Sequence, residues 1–345
     1  MQIRFLPLTA AALTGFLFAQ AAVLPARAQG ALTIATQAEG SSYHQIGTSL
    51  AEYLNAAGVA AQVKPYKSWT EYLRPIDKGE VGVGFVIGID AGASFRAKDE
   101  AARLTNLRTL GRLWTIRYTY LARSALGIKN LAGLRGRRVG FDVTGNPTLS
   151  EVNAVLLKTV ALGARDMKAS EIAGFPDGIR RLTSGELEAV PIAVGVPLVR
   201  QARLGIEGGV NYVSLFGPNA TTDFLANLLP GLYVVELQPD ERIPELKEPT
   251  RAVAFDVFLI GHAQLSDTTV GAILKQMTEK QAELDERHPV LRPVEGTIAS
   301  QDRTAELAAP TNPIPYHPGA IAYFKTVNAW NDANQRAEER LKRPR

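Results

Sequence analysis

From residue 32 the chain alternates short apolar runs with amphipathic stretches. LTIAT (32–36) reads as a strand, and after it Ile46, Leu50, Tyr53 and Leu54 recur at helical spacing. VAAQVKPYK (59–67) is strand-like and WTEYLRPIDKGE (69–80) is helical. In VGVGFVIGI (81–89) unbroken small and β-branched residues suit a strand buried on both faces. The pattern predicts an α/β fold.

Shifting the frame by 106 residues places LTIAT on RVGFD (138–142), Ile46 on Val152, Leu50 on Leu156 and Leu54 on Val160. At the same offset Leu73 meets Ile179, Ile76 meets Leu182 and Gly79-Glu80 meets Gly185-Glu186. This is a match of residue class at one period, and it predicts two similar α/β lobes. LRTLGRLW and YTYLARS, between them, read as extended segments that carry the chain across. RAVAFDVFLIG (251–261) is again strand-like and TTVGAILKQMTEKQAELDERH (268–288) reads as one long amphipathic helix; both are expected to return to the first lobe. The expected organisation is a signal peptide over 1–28, lobe 1 over 29–122 plus 251–327, lobe 2 over 123–250, and a charged, solvated tail over 328–345.

The 345 residues, 46% hydrophobic and 21% charged, are enough for two core-bearing lobes. The start carries Arg4, the apolar run FLPLTAAALTGFLFAQAAV and an A-x-A signature at Ala26-Arg27-Ala28, which reads as an export signal cleaved near Ala28 and places the mature protein in the periplasm. Pro7, Gly15 and Gln20 interrupt that run and leave it short for a span of roughly 20 residues. Cleavage removes two arginines and no acid, taking the formal charge from +4 to +2. The basic residues are dispersed apart from the terminal ERLKRPR, so nucleic acid is not an expected partner. With no cysteine there is neither a disulfide nor a thiolate metal site.

The candidate chemistry lies in the loops. Ligands of parallel α/β sheets collect beyond strand carboxyl ends, where helix amino termini favour anions. In the loop after LTIAT, Gly40 permits unusual backbone angles and Ser41, Ser42 and Tyr43 offer hydroxyls suited to a small carboxylate; one of the serines is expected to cap the helix. In the loop at the matching position, Thr148 and Glu151 have capping-box spacing; Thr144, Gly145 and Asn146 are the ligand candidates left over, and Thr148 is counted with them as a candidate ligand residue. A guanidinium fork suits a bound carboxylate, and Arg112 and Arg117 in the crossover are its possible sources. Trp69 is a candidate apolar wall, and Asp90 a candidate acceptor for an amine.

Catalytic patterns are weak. His44, His262, His288 and His317 form no metal-binding spacing, no G-x-S-x-G elbow is present, and GVGFVIG (82–88) lacks the G-x-G-x-x-G turn of a dinucleotide site, its glycines reading instead as close packing in the sheet. A hydrolase using Ser41 or Ser42 with His44 is the remaining enzyme alternative. No cofactor or metal is called for.

The segments LTIATQAEGSSYHQIGTSLAEYLN, WTEYLRPIDKGEVGVGFV, GIKNLAGLRGRRVGFDVTG with SEVNAVLL, and YHPGAIAYFK resemble, in that order, the TAXI-type extracytoplasmic solute receptors of tripartite ATP-independent periplasmic (TRAP) transporters. The resemblance runs from about residue 31 to about residue 325. It implies a type II periplasmic-binding fold, two hinged α/β lobes around a cleft, capturing a small organic solute such as glutamate, glutamine or a 2-oxoglutarate-like acid for a membrane permease. Tyr43 takes the family's loop tyrosine position, Ser150-Glu151-Val152-Asn153 its T-E-V-N helix start, and Trp114 the aromatic after Arg112-Leu113. AEGSSYHQ replaces a glycine-rich loop, NPTLSEVN is bulkier than the family's approach, and VIGID lacks the glutamine common after that strand. The same fold could instead feed a sensor.

Overall fold

In the computed structural model, Met1, residues 30–291, Thr304 and residues 307–342 are described. The expected signal peptide therefore lies outside the described residues apart from Met1, and Met1–Gly30 forms a unit separate from Ala31–Arg345. Every strand and helix among the described residues belongs to the second unit.

Its first elements are β1 (Leu32–Thr36), α1 (Ser42–Ala56), β2 (Ala61–Pro65), α2 (Thr70–Asp77) and β3 (Val83–Ile87), followed by α3 (Gly88–Phe95). A long strand β4 (Leu107–Arg123) leads to β5 (Arg138–Val143), α4 (Pro147–Lys158), β6 (Lys168–Ile172), α5 (Phe175–Thr183) and β7 (Ala189–Ala193). The 106-residue shift holds element by element: β3 moved by it lands on β7, and β1, α1, β2 and α2 fall over β5, α4, β6 and α5. The strand order is the same in both copies, β2-β1-β3 and β6-β5-β7, all parallel.

Next come α6 (Leu198–Gly205), β8 (Val210–Val213), α7 (Thr222–Leu228), β9 (Tyr233–Leu237) and β10 (Thr250–His262), then α8 (Asp267–Glu279) and α9 (Gln281–Arg287). The single long helix expected over 268–288 is thus two, parted at Lys280, whose backbone leaves helical angles (φ −98°, ψ 16°) and whose amine pairs with Glu283 at 2.7 Å. After it, α10 (Pro318–Thr326) and α11 (Asp332–Lys342) close the described chain. The segment expected as a solvated tail docks: Ala337 and Glu338 are buried, and Glu338 accepts the Tyr316 amide at 3.0 Å. Glu339 and Arg340 are exposed, and residues 343–345 of ERLKRPR lie outside the described residues.

Among the described residues the strands form one sheet in which β4 and β10 are neighbours between the two repeated units. LRTLGRLW and YTYLARS, read as two extended segments, are one 17-residue strand because every pairing they need is supplied by β10 on one stretch and by β7 and β8 on the next. β3 runs antiparallel to β10, β10 to β4, and β4 to β7, so β3 and β7 point in opposite directions. β3 ends at Ile87, level through Val257 with Trp114; β7 ends at Ala193, beside Tyr118. The carboxyl ends of the two units therefore converge on Trp114–Tyr118 of β4.

β3 is buried along its whole length, as its unbroken apolar pattern demands. Gly84 is where α2 presses on it: a Cβ there would lie 2.8 Å from Ile76 Cδ1 and 2.9 Å from Tyr72 Cε2. Close packing accounts for that glycine.

Candidate functional site

At the junction of the two units, α3 starts directly after β3 and puts Asp90 in its first turn. Thr148 of α4 reaches over from the other unit and donates to Asp90 Oδ1 at 2.6 Å. Oδ2 of the same carboxylate is buried and has no hydrogen-bond partner among the described residues. Burial pushes the Asp90 carboxyl up to about 6; the Thr148 bond opposes the shift and the charge of Glu151 adds to it.

Tyr43, in the first turn of α1, packs its ring against Trp114 (centroids 5.1 Å apart) and edge-on to Phe85 (6.4 Å). Burial raises its phenol, and the nearby Asp90 charge raises it further. Tyr72, which donates to the Phe85 carbonyl, is raised by burial and then by Tyr43 and Asp90. Tyr43, Tyr72 and Asp90 therefore share one low-dielectric region at the end of β3. Gln37, just past β1, buries its Nε2, again without a partner among the described residues.

The loop before α1 turns on Gly40, at φ +81°, a left-handed conformation that glycine adopts without strain. Ser41 is the cap, its Oγ accepting the His44 amide at 3.2 Å, so its contact with His44 is through backbone and not through the imidazole. Ser42 is exposed at the helix start. The T-x-x-E capping box expected at Thr148 and Glu151 does not form. The helix begins two residues earlier, with Asn146 as cap accepting the Leu149 amide at 3.4 Å and Pro147 at the first turn, which releases the Thr148 hydroxyl to Asp90. Thr144 is tied to the end of β6, its amide donating to the Ile172 carbonyl at 3.0 Å. Trp69 is buried just ahead of α2, and its carbonyl takes part in that helix's first bonds.

The arginines occupy a different setting. Arg112 Nη1 lies 3.8 Å from Oδ1 of Asp256, a buried acid of β10 that also accepts from Thr115 (2.6 Å), Tyr233 (2.9 Å) and Thr311 (2.6 Å). Arg117 holds the strand junction with its carbonyl, which accepts the Val194 amide at 2.8 Å. Strand alternation puts its side chain on the face of Thr115, opposite Trp114 and Tyr118. On the Trp114 face, Tyr118 donates to Asn153 Oδ1 of α4 at 2.9 Å, and Asn153 Nδ2 donates to the Phe141 carbonyl at 2.6 Å.

The structure thus brings Tyr43, Asp90 and Thr148 together and leaves Ser41, Thr144 and Asn146 in helix-entry and loop bonds. Gln37, Tyr72 and Asp256 were not anticipated. An acid inside the apolar run RAVAFDVFLIG was a usable signal for Asp256; nothing in the local sequence distinguished Gln37. Among the described residues no group of three or more His, Asp or Glu side chains is placed to hold a metal ion, and no helix is long and apolar enough to cross a membrane.

Two β-α-β-α-β units with opposed strand directions, joined through β4 and β10 and meeting at their carboxyl ends, make an α/β fold matching that of type II periplasmic binding proteins. The chain belongs to the NMT1-like family, whose profile matches residues 34–327. Solved structures of similar fold include the periplasmic aliphatic sulphonate binding protein SsuA from Escherichia coli, with 17% identity and TM-score 0.45 over 90% of this chain and 98% of that one. The alkanesulfonate-binding protein SsuA from Xanthomonas axonopodis pv. citri bound to MOPS has 15% identity and TM-score 0.40 over 90% of this chain and 83% of that one. The GluR0 ligand-binding core in complex with L-glutamate has 10% identity and TM-score 0.44 over 75% and 97%. These likenesses concern the fold.

Proposed function

We propose that the protein is a periplasmic solute receptor. In this reading it captures a small organic acid or amino acid, of the glutamate or 2-oxoglutarate kind, between lobes formed by residues 29–122 plus 251–327 and by residues 123–250. It then delivers the solute to the membrane permease of a TRAP transporter. The observation that carries the reading is Asp90, bonded from the opposite unit by Thr148 while its second oxygen stays buried without a partner among the described residues. Buried polar atoms are almost always paired, and one left without a partner among the described residues where two units meet is a position that a ligand could satisfy. Membership of the NMT1-like family and the export signal read at residues 1–28 support it. Closure follows from differential contact: a solute touching both units stabilises the form in which they approach.

The test is a thermal shift of the chain from Gln29, unfolded and refolded to strip bound solute, against glutamate, glutamine, 2-oxoglutarate, aliphatic dicarboxylates and branched-chain acids. A ligand at a hundredfold excess over its Kd adds about 2.7 kcal/mol, which raises Tm by roughly 5 °C for a chain of this size. No shift with any of these acids counts against the reading.

A further inference from the structure

The two buried polar atoms without partners among the described residues at this junction, Asp90 Oδ2 and Gln37 Nε2, are chemically complementary: one is a charged acceptor, the other a neutral donor. They follow neighbouring strands. β1 pairs with β3 in parallel, with Ala35 opposite Gly84, and Gln37 and Asp90 stand just beyond the carboxyl ends of those strands. Neither atom is bonded to the other. Resting on the receptor reading, we propose that these two side chains form the recognition subsite for an amine set beside an oxygen. The ligand ammonium donates to Asp90 Oδ2, a ligand oxygen accepts from Gln37 Nε2, and the solute is an amine-bearing acid, not a 2-oxo acid or a plain dicarboxylate.

Three features of the site support this choice. Thr148 already satisfies Oδ1, so the carboxylate is oriented with one oxygen left for the ligand. Tyr43, whose ring packs on Trp114 at 5.1 Å, lies near enough to feel the Asp90 charge, and an ammonium is attracted to an aromatic ring where a carboxylate is not. Glu151 contributes a second negative charge to the surroundings of Asp90. A ligand carboxylate at this spot meets two acids, and a 2-oxo group presents an acceptor to an acceptor; both leave Asp90 unpaired. Recognition by a buried group that is unpaired with the wrong ligand separates near-isosteres more sharply than an apolar pocket does.

The test is calorimetric titration of the stripped protein with matched probes: L-glutamate against 2-oxoglutarate and glutarate, and L-leucine against 4-methyl-2-oxopentanoate. The expected result is that at least one amino acid binds on the order of 10–100-fold more tightly than its 2-oxo counterpart, the range set by one charge-assisted hydrogen bond. Asp90→Asn keeps an acceptor for Thr148 but places an amide where the ligand ammonium is met, so that preference should disappear or invert. Gln37→Leu should weaken the amino acid without changing the sign of the preference. Equal or tighter binding of a 2-oxo acid or of glutarate by the unaltered protein overturns the amine subsite and leaves the receptor reading standing. An undiminished preference in Asp90→Asn also overturns it. Binding of none of the probes overturns both. Because the first comparison uses the unaltered chain, it does not depend on either variant folding.

Discussion

Thr148 Oγ1 donates to Asp90 Oδ1 at 2.6 Å; Thr148 lies in the second β-α-β-α-β unit and Asp90 in α3, the helix that directly follows the last strand of the first. A helix of one unit is therefore bonded to the helix that leaves the last strand of the other by a side-chain pair 58 residues apart in sequence.

Replacing Thr148 by Val removes that bond at nearly constant volume and leaves a buried carboxylate with neither oxygen paired. A loss of about 1–3 kcal/mol is expected by urea unfolding near neutral pH. In a double-mutant cycle with Asp90→Asn the two effects should couple, because the second change removes the charge that the first leaves stranded. Additive effects would mean that the contact does not contribute to stability.

Asp90 also sets a pH dependence. Its folded carboxyl, at about 6, lies above the unfolded value near 3.9. A raised acid binds its proton more tightly when folded, so its contribution is fully present below the unfolded pKa and is lost as pH rises through the folded one. The charged and titratable neighbours facing it are Glu151 on α4, Tyr43 on α1 and Tyr72 on α2, and both tyrosines stay neutral throughout this window. Asp90→Asn should therefore gain stability relative to the unaltered chain between pH 4 and pH 6.5, on the order of 2 kcal/mol, since a pKa change of one is worth about 1.36 kcal/mol. Denaturation curves of the two proteins at several pH values check it; parallel profiles would count against a raised Asp90.

Arg112 is expected to act on stability, because its partner Asp256 is buried among Thr115, Tyr233 and Thr311. Asp256→Ala, which strands those three hydroxyls, should cost about 3–5 kcal/mol, and Arg112→Met less, with solute affinity changed by under twofold. Measuring Tm and Kd on the same preparation distinguishes the roles. A large loss of affinity at unchanged Tm in Arg112→Met would make it a ligand residue.

Asn153 joins β4 to β5 and α4 by accepting from Tyr118 and donating to Phe141. Asn153→Leu removes the partner of a buried hydroxyl and of a part-buried carbonyl and should destabilise by about 1–3 kcal/mol. A change under about 0.5 kcal/mol would show that both groups find other partners.

The strand and helix pattern, and the repeat at 106 residues, were readable because burial on both faces of a parallel strand and on one face of a helix imposes local periodicity. VGVGFVIGI became β3 and IGTSLAEYL part of α1 for that reason. Ser41 as a cap and Gly40 in its left-handed turn were legible too, since both depend only on neighbours in the chain. The docking of α11 was not, since it depends on contacts with a distant segment, Glu338 accepting the Tyr316 amide. The same holds for the site. Thr148 has the spacing of a capping box, and only the meeting of two units offers its hydroxyl a buried carboxylate instead. Gln37 and Asp90 are ordinary polar residues in the chain; the tertiary structure alone buries Gln37 Nε2 and Asp90 Oδ2 without a partner among the described residues, because desolvation depends on what other segments pack around an atom.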